Sequence, residues 1–204
     1  MKTPKICVLA IPTLLVVSGC LTSQQPFFEE SDIRVDDRLV GAYKDESDQS
    51  QSPARFYVVK DPDYYHKGAY YVTVASSSDC SMKFGAVLFQ IGTNRFLDLV
   101  PIIEACDRLA ANPPSLIELL QSVVLQPMHM AVKVAVSTNG LKFGFADHPR
   151  LAAAAKKFPE YFQPLKPEQC PRLVADTKRQ REFLLRFGGE TNIFMQVEMK
   201  RAAK

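Results

Sequence analysis

Asn139-Gly140 and the two segments around it restrict the fold of this chain more than any other feature. Apolar residues occupy every second position in residues 130–136 and again in residues 141–145, with polar or small residues between them. An Asn-Gly pair between alternating segments is the strongest short-range signal of a β-hairpin, and it favours a type I′ turn with positive φ. We therefore predict a hairpin over residues 128–146 that buries one face and exposes the other.

Further strand-like segments dominate the rest of the chain. Segments rich in β-branched and aromatic residues, each ended by a turn signal, predict strands at 38–43, 54–60, 69–76, 82–91, 95–100 and 192–200. Capping patterns predict short helices at 115–122, 151–158 and 177–187, the last beginning with a capping box from Thr177 to Gln180. Consecutive strands on short turns pair as an antiparallel meander. The expected class is α+β, mainly antiparallel β, with about eight strands in a barrel or a strongly bent sheet and about three short helices.

The start of the chain has the three parts of a secretory signal. Two lysines precede an apolar stretch, residues 6–17, that is too short to span a bilayer, and small residues then lead to Cys20. Val17-Ser18-Gly19-Cys20 resembles a bacterial lipobox, which implies that Cys20 carries a diacylglyceryl group and becomes the first residue after cleavage. The alternatives are a chance cysteine and an ordinary secretory peptide, although the sequence has no A-x-A-like cleavage site here.

This resemblance divides the chain into three parts. Residues 1–19 form a signal peptide, residues 20–32 a lipidated cysteine with a flexible polar tether, and residues 33–204 a single β-rich domain. The lipid implies a membrane anchor that needs no transmembrane helix. In a Gram-negative host, Leu21 rather than Asp after the cysteine implies the outer membrane, with the domain facing the periplasm.

The charge of the chain bears on its partners. Without the two lysines of the signal the net charge falls from +3 to +1, which is too weak a bias to indicate nucleic acid. The membrane, through the lipid, and an envelope protein are the expected partners. Basic residues of the helix at 177–187 form either a solvated face or a contact with anionic lipid headgroups; they are Lys178, Arg179, Arg181 and Arg186.

Cys80, Cys106 and Cys170 remain once Cys7 leaves with the signal and Cys20 carries lipid. An odd number allows at most one internal disulfide, in a compartment that permits one. In the meander, the turn with Cys80 and the segment with Cys106 lie at the same end of the sheet, so we predict a Cys80–Cys106 disulfide. The alternative is three reduced, buried thiols. The cysteines and histidines lack the spacing of a metal site.

Candidate site residues are few. The sequence has no G-x-S-x-G, H-E-x-x-H or P-loop, and its three histidines lie in contexts typical of surface or capping residues, so we expect no enzyme and no cofactor. Asp98 shares a strand face with apolar residues, so it needs a partner or a water-filled cavity and is a candidate ligand-orienting carboxylate. Strand aromatics, among them Tyr71 and Phe89, form either ordinary core or the lining of an apolar pocket.

The segment Leu39-Val40-Gly41-Ala42-Tyr43 followed by a meander resembles the opening of lipocalin-type barrels, without their usual tryptophan. The whole mature chain is similar to bacterial envelope lipoproteins of unknown function, which implies no catalytic residues. We expect a lipid-anchored, non-catalytic binding or scaffold module. The alternatives are a lipocalin-like carrier of a small apolar ligand and a periplasmic hydrolase. An empty barrel interior would favour the carrier, and a closed core beside an exposed apolar patch would favour the scaffold.

Overall fold

The strands form a closed barrel with one further strand outside it. The computed structural model describes residues 21–45, 55–61, 68–77, 80–102, 128–163, 171–174, 176–189 and 193–202, and for residues 61, 76, 77 and 80–82 it describes the backbone alone. The described strands are β1 Leu21–Ser23, β2 Gly41–Asp45, β3 Arg55–Asp61, β4 Ala69–Ser77, β5 Cys80–Ile91, β6 Asn94–Ile102, β7 His129–Val136, β8 Gly140–Ala146 and β9 Phe194–Arg201.

Strands β2 to β9 run up and down, each antiparallel to the next. The pairing of β9 with β2 closes this eight-stranded meander into a barrel. The ninth strand, β1, pairs with β7 from outside, alongside residues that β8 does not reach. The structure thus confirms an antiparallel barrel, whereas the sequence did not predict the strand at 21–23.

Two α-helices lie in the described part of the chain, α1 His148–Lys157 and α2 Thr177–Phe187. Short 3-10 turns occupy Glu30–Asp32, Asp37–Leu39 and Pro159–Tyr161. The predicted capping box at the start of α2 is wrong, because Asp176 is the N-cap and accepts a hydrogen bond from the Lys178 amide. The helix predicted at 115–122 lies outside the described residues.

Apolar side chains fill the barrel interior. Alternate residues of every barrel strand point inward, and the largest of them are fully buried. The inward residues with at most 1% exposure are Leu39, Tyr43, Val58, Tyr70, Ala86, Leu88, Leu97, Leu141 and Met199. The described interior is therefore a packed core, as in small barrels whose side chains meet at the axis.

One end of the barrel is closed by the turn that precedes β2. Arg201, the last residue of β9, donates to the Arg38 carbonyl at 2.7 Å and to the Val40 carbonyl at 3.1 Å. Its guanidinium also donates to Tyr43 Oη at 2.9 Å and lies 5.2 Å from the centre of the Tyr43 ring. These contacts tie β9 to β2 and to the turn before it, and we call this end of the barrel the closed end.

A second apolar core lies between the outer wall of the barrel and the helices. It joins outward residues of β5 and β6, such as Phe89 and Phe96, to Phe183 of α2. Leu21 and Phe27 belong to it and are fully buried.

The flexible tether predicted for residues 20–32 is therefore wrong for the described residues of that range, 21–32. Leu21, Phe27 and Phe28 supply enough apolar surface to bury, and the edge of β7 at 129–131 offers hydrogen bonds to β1.

The predicted hairpin is present, but its turn differs from the predicted type. β7 and β8 pair from Val136↔Leu141 to Lys133↔Gly144, and the Ser137 amide donates to the Gly140 carbonyl at 2.9 Å. Neither Asn139 nor Gly140 has positive φ, so the turn is not type I′. A Cβ on Gly140 would instead lie 2.1 Å from the Met199 carbonyl oxygen, so the glycine allows close approach of β9.

Candidate functional site

Asp98, Tyr71 and Phe89 all lie on the outer face of the barrel. Their strand neighbours Leu97, Tyr70 and Leu88 point inward. Phe89 is fully buried in the outer core, where its ring lies 5.4 Å from Phe96, and Tyr71 is partly exposed. The structure therefore does not bring the three together as the lining of an interior pocket. The reason is that apolar residues occupy both faces of these strands, so the sequence does not mark the inner face.

Asp98 and His129 form a buried polar pair on the outer face of the barrel wall. Asp98 Oδ2 lies 2.7 Å from His129 Nδ1, and the two side chains are 2% and 17% exposed. Adjacent strands position them, since Asp98 of β6 pairs with Ala131, two residues after His129 in β7. An ionised carboxylate can only accept, so the shared hydrogen then belongs to Nδ1. Asp98 thus has the partner that its buried position requires.

Ser23 and Gln180 extend this polar place towards α2. Ser23 pairs with His129 across β1 and β7, so the two side chains lie on the same face. Gln180 is fully buried, and its Nε2 donates to Ser23 Oγ at 2.5 Å and to the Val174 carbonyl at 2.7 Å. We call Ser23, Asp98, His129 and Gln180 the buried polar cluster. It joins the N-terminal strand, the barrel and α2.

The cluster has the residue types of a Ser-His-Asp triad but not its arrangement. Among the described residues, no hydrogen bond joins the Ser23 hydroxyl to the His129 ring, whereas a triad needs the base within hydrogen-bond reach of the nucleophile. Ser23 Oγ already accepts from Gln180 Nε2 and from the Gln25 amide at 3.0 Å, so both its lone pairs are engaged. Ser23 is also only 2% exposed. These contacts fit a structural role that fixes β1 against α2.

Two more side chains of α2 hold residues 21–32, the N-terminal segment, in place. Thr177 Oγ1 donates to the Pro26 carbonyl at 3.0 Å, and Arg181 lies 2.8 Å from both Asp32 and Glu29. The side-chain oxygen of Gln180, Oε1, is buried and accepts no hydrogen bond from the described residues. The chain is therefore attached to α2 at several points between Ser23 and Asp32.

The wall opposite β1 carries exposed apolar side chains. Tyr57 and Val59 point outward from β3 and are 39% and 50% exposed. Tyr71 of β4 lies directly opposite Val59 in the sheet. We call these three residues the β3–β4 patch. In the closed order of eight strands β3 is four strands from β7, so the patch faces away from β1.

The strongest charge cluster lies at the closed end. Asp36 Oδ2 lies 2.6 Å from Arg38 and 2.7 Å from Arg95. Hydrogen bonds from Arg38, and more weakly from Arg95, lower the pKa of the Asp36 carboxyl from 3.8 to about 2 against the opposing effect of burial. Tyr70 Oη accepts from the Asp36 amide at 2.8 Å, and burial raises the pKa of this phenol. The cluster fixes the turn that closes the barrel.

Most of the predicted cysteine sites lie outside the described part of the chain. Cys20, Cys106, Cys170 and His66 lie outside the described residues, and only the backbone of Cys80 is described, so the predicted disulfide stays a prediction. Within the described ranges, acidic, histidine and cysteine side chains do not gather in threes as a metal site requires. Neither described helix has the length and apolar character needed to span a membrane.

Sequence reasoning identified Asp98 but missed Ser23 and Gln180. Its interpretation of His129 as a surface residue is wrong, because the side chain is only 17% exposed and pairs with Asp98. Ser23 lies in a segment whose polar composition predicted a tether. Gln180 is the last residue of the capping box predicted at the start of α2. They are 157 positions apart, so only the tertiary fold brings them together. No family model matches this chain, and neither a curated protein nor a solved structure matches it.

Proposed function

We propose that this protein is a lipid-anchored envelope protein that acts as a non-catalytic binding module. In this proposal Cys20 carries the lipid, and the β3–β4 patch binds an envelope protein. In a Gram-negative host the module would be held at the outer membrane and face the periplasm. The β3–β4 patch is the observation that carries the proposal, because it exposes apolar side chains on the wall farthest from β1.

The packed interior supports a binding surface rather than an internal site. Large side chains such as Tyr43, Tyr70 and Leu97 are at most 1% exposed and occupy the barrel axis. A carrier needs a cavity of several hundred cubic ångströms for a drug-sized ligand. Apolar patches on the water-exposed surface of a protein commonly mark contacts with other proteins. The outer patch therefore fits recognition better than the described interior does.

The lipid anchor is tested by replacing the lipidated residue. Cys20→Ser should abolish palmitate labelling and release the protein from the membrane fraction, whereas Cys7→Ser, which changes a cysteine inside the signal, should leave both unchanged. Membrane fractionation of the Cys20→Ser variant without label would refute the anchor.

The binding surface is tested by crosslinking in cells. A photo-crosslinking amino acid at Val59 should give one discrete adduct, and Tyr57→Asp in the same chain should remove it. The matched control is the same probe at Glu198, an exposed outer position on β9. Equal adducts from both probe positions, or no adduct at Val59, would refute the patch as the binding surface.

A lipocalin-like carrier remains the second candidate because of one observation. At the end of the barrel opposite the closed end, inward-facing apolar residues are only partly buried, and Met195 is 46% exposed beside Phe145. The loops that join the strands there, 46–54, 78–79 and 103–127, lie outside the described residues. Organic extraction of the purified Cys20→Ser protein followed by mass spectrometry tests this candidate. A stoichiometric apolar compound would favour the carrier.

A further inference from the structure

The proposed anchor leaves almost no chain between the lipid and the folded barrel. Leu21 is fully buried, lies in β1 and pairs with Ala131 of β7. Consecutive Cα atoms are about 3.8 Å apart, so a lipid on Cys20 would begin within a few ångströms of the barrel wall. The surface around the start of β1 must then lie close to the lipid headgroups.

The helical layer forms that surface. Thr22 of β1 makes a parallel bridge with Arg172, and the Leu173 amide donates to the Thr22 carbonyl at 3.0 Å. Leu21 belongs to the same buried cluster as Leu151 of α1 and Phe183 of α2. Both helices therefore stand on the side of the barrel from which the anchor leaves.

This side carries a concentration of exposed cations. Two of these cations, one from each helix, make cation–π contacts with Phe158. Lys157 Nζ lies 5.2 Å and the Arg186 guanidinium 4.5 Å from the centre of its ring. Arg179 reaches the same region and donates to the Glu160 carbonyl at 3.2 Å. We call the following residues the basic helical face: Lys156, Lys157, Lys178, Arg179, Leu185 and Arg186.

The basic helical face carries more cations than carboxylates. It has five exposed cations, and the nearby carboxylates are those of Glu160, Asp176 and Glu182. Asp176 caps α2 and lies 3.9 Å from Arg179, so it offsets the charge of one of these cations. Leu185 adds an apolar side chain, 62% exposed, among the cations. Cations around an exposed apolar residue match the boundary between headgroups and acyl chains of an anionic membrane.

We propose that the basic helical face rests on an anionic phospholipid surface, so that the anchored barrel has one fixed orientation and presents the β3–β4 patch away from the membrane. This inference rests on the proposed lipid anchor. Arg181 is not part of the contact, because Glu29 and Asp32 hold its guanidinium. The headgroup phosphates bind the cations, and Leu185 inserts between them.

Lysine footprinting on the anchored protein tests the orientation. The full chain is expressed with its own signal, purified from membranes in detergent, and placed in vesicles of phosphatidylcholine alone or mixed with phosphatidylglycerol. An amine-acylating reagent then labels the exposed lysines, and mass spectrometry reports the rate at each one. Lys156, Lys157 and Lys178 report on the face, and Lys44 and Lys60 on the β2–β3 wall are the matched controls, because both are exposed in the described structure.

The expected result is acylation about fivefold slower at Lys156, Lys157 and Lys178 in phosphatidylglycerol vesicles than in phosphatidylcholine vesicles. Lys44 and Lys60 should not change, and about 1 M salt should remove the protection because it shortens the Debye length to about 3 Å. Charge reversal by Lys157→Glu with Arg186→Glu should abolish the protection of Lys178, whereas Lys60→Glu should preserve it.

Other outcomes overturn the inference in distinguishable ways. Protein that floats with the vesicles but shows equal rates in both lipids, or protection at Lys44 and Lys60, refutes the orientation and leaves the anchor intact. Protein that carries no lipid and does not float refutes both the anchor and the orientation. Protection that is equal in the charge-reversed variant shows that the cations do not make the contact.

Discussion

Gly140→Ala tests the close approach of β9 to β8. The added Cβ would lie 2.1 Å from the Met199 carbonyl oxygen and 3.2 Å from Lys200 Cα, whereas ordinary contacts begin at 3.4 Å. The opposing atoms belong to the backbone of β9 and cannot rotate away, so a strand must move by about 1 Å.

The expected cost follows from two opposing effects. Overpacking of this kind costs about 1–3 kcal/mol, and a clash with backbone belongs at the upper end. Removing a glycine restricts the unfolded chain and returns about 0.4–1 kcal/mol. We therefore expect Gly140→Ala to lower the free energy of unfolding by about 2 kcal/mol, with no loss of β structure in the far-ultraviolet circular dichroism spectrum.

Two control variants separate this cause from others. Gly189→Ala places a Cβ 3.9 Å from Asn94 Nδ2 and should change stability by less than about 0.5 kcal/mol. Asn139→Ala should also be nearly neutral, because Asn139 does not have the positive φ that a type I′ turn would impose. Urea denaturation followed by circular dichroism and tyrosine fluorescence measures all three. A Gly140→Ala protein as stable as the wild type would refute the close approach of β9.

Four further variants test the closed end and the outer core. Because hydrogen bonds from Arg38 lower the pKa of Asp36 to about 2, its ionised form stabilises the fold above pH 4, and this contribution is lost as the pH falls towards 2. Allowing for solvent screening, Asp36→Asn should cost about 1 kcal/mol at pH 7 and almost nothing at pH 2, and unfolding curves across this range would contradict us if the difference did not vary with pH. Arg201→Ala should cost about 1 kcal/mol in urea denaturation through its lost hydrogen bonds to the Arg38 and Val40 carbonyls, and a neutral result would show that the closed end does not need it. Phe183→Ala, at a fully buried ring, should cost about 3–5 kcal/mol, and Leu185→Ala on the exposed face of the same helix less than about 0.5 kcal/mol; similar thermal shifts would contradict the assignment of the core face.

The course of the barrel could be predicted from local signals. Alternation and turn residues predicted the strands from β3 to β9 to within a few residues, because each signal acts over a short stretch of chain. Sequence order on short turns was then enough to predict antiparallel neighbours. The closure of β9 onto β2 was left open between a barrel and a bent sheet, since it depends on strand twist and stagger summed around the whole sheet.

The inner face of the wall could not be predicted, and this explains the misplaced ligand candidates. Val87, Leu88 and Phe89 are all apolar and all buried, because one face meets the barrel core and the other meets the outer core. Alternation identifies a face only where water covers the other one. Phe89 was therefore compatible with either face until the helices and the N-terminal segment were located.

The packing of the N-terminal segment depends on contacts that no local pattern contains. Its fixed points are β7, Gln180 and Thr177, all more than 100 positions further along the chain. A polar segment with a few apolar residues is typical of a tether when it is considered alone. Only the available edge of β7 and the apolar surface of α2 turn it into part of the fold.

The intact mass of the protein purified from membranes tests the central claim most directly. Mass spectrometry of the full chain expressed with its own signal, with fragmentation from the N-terminus, identifies the first residue and any group on it. The account predicts a mature chain that begins at Cys20, carries a diacylglyceryl group on that residue and continues directly into Leu21 of β1. A chain that begins at another residue, or an unmodified Cys20, would contradict it.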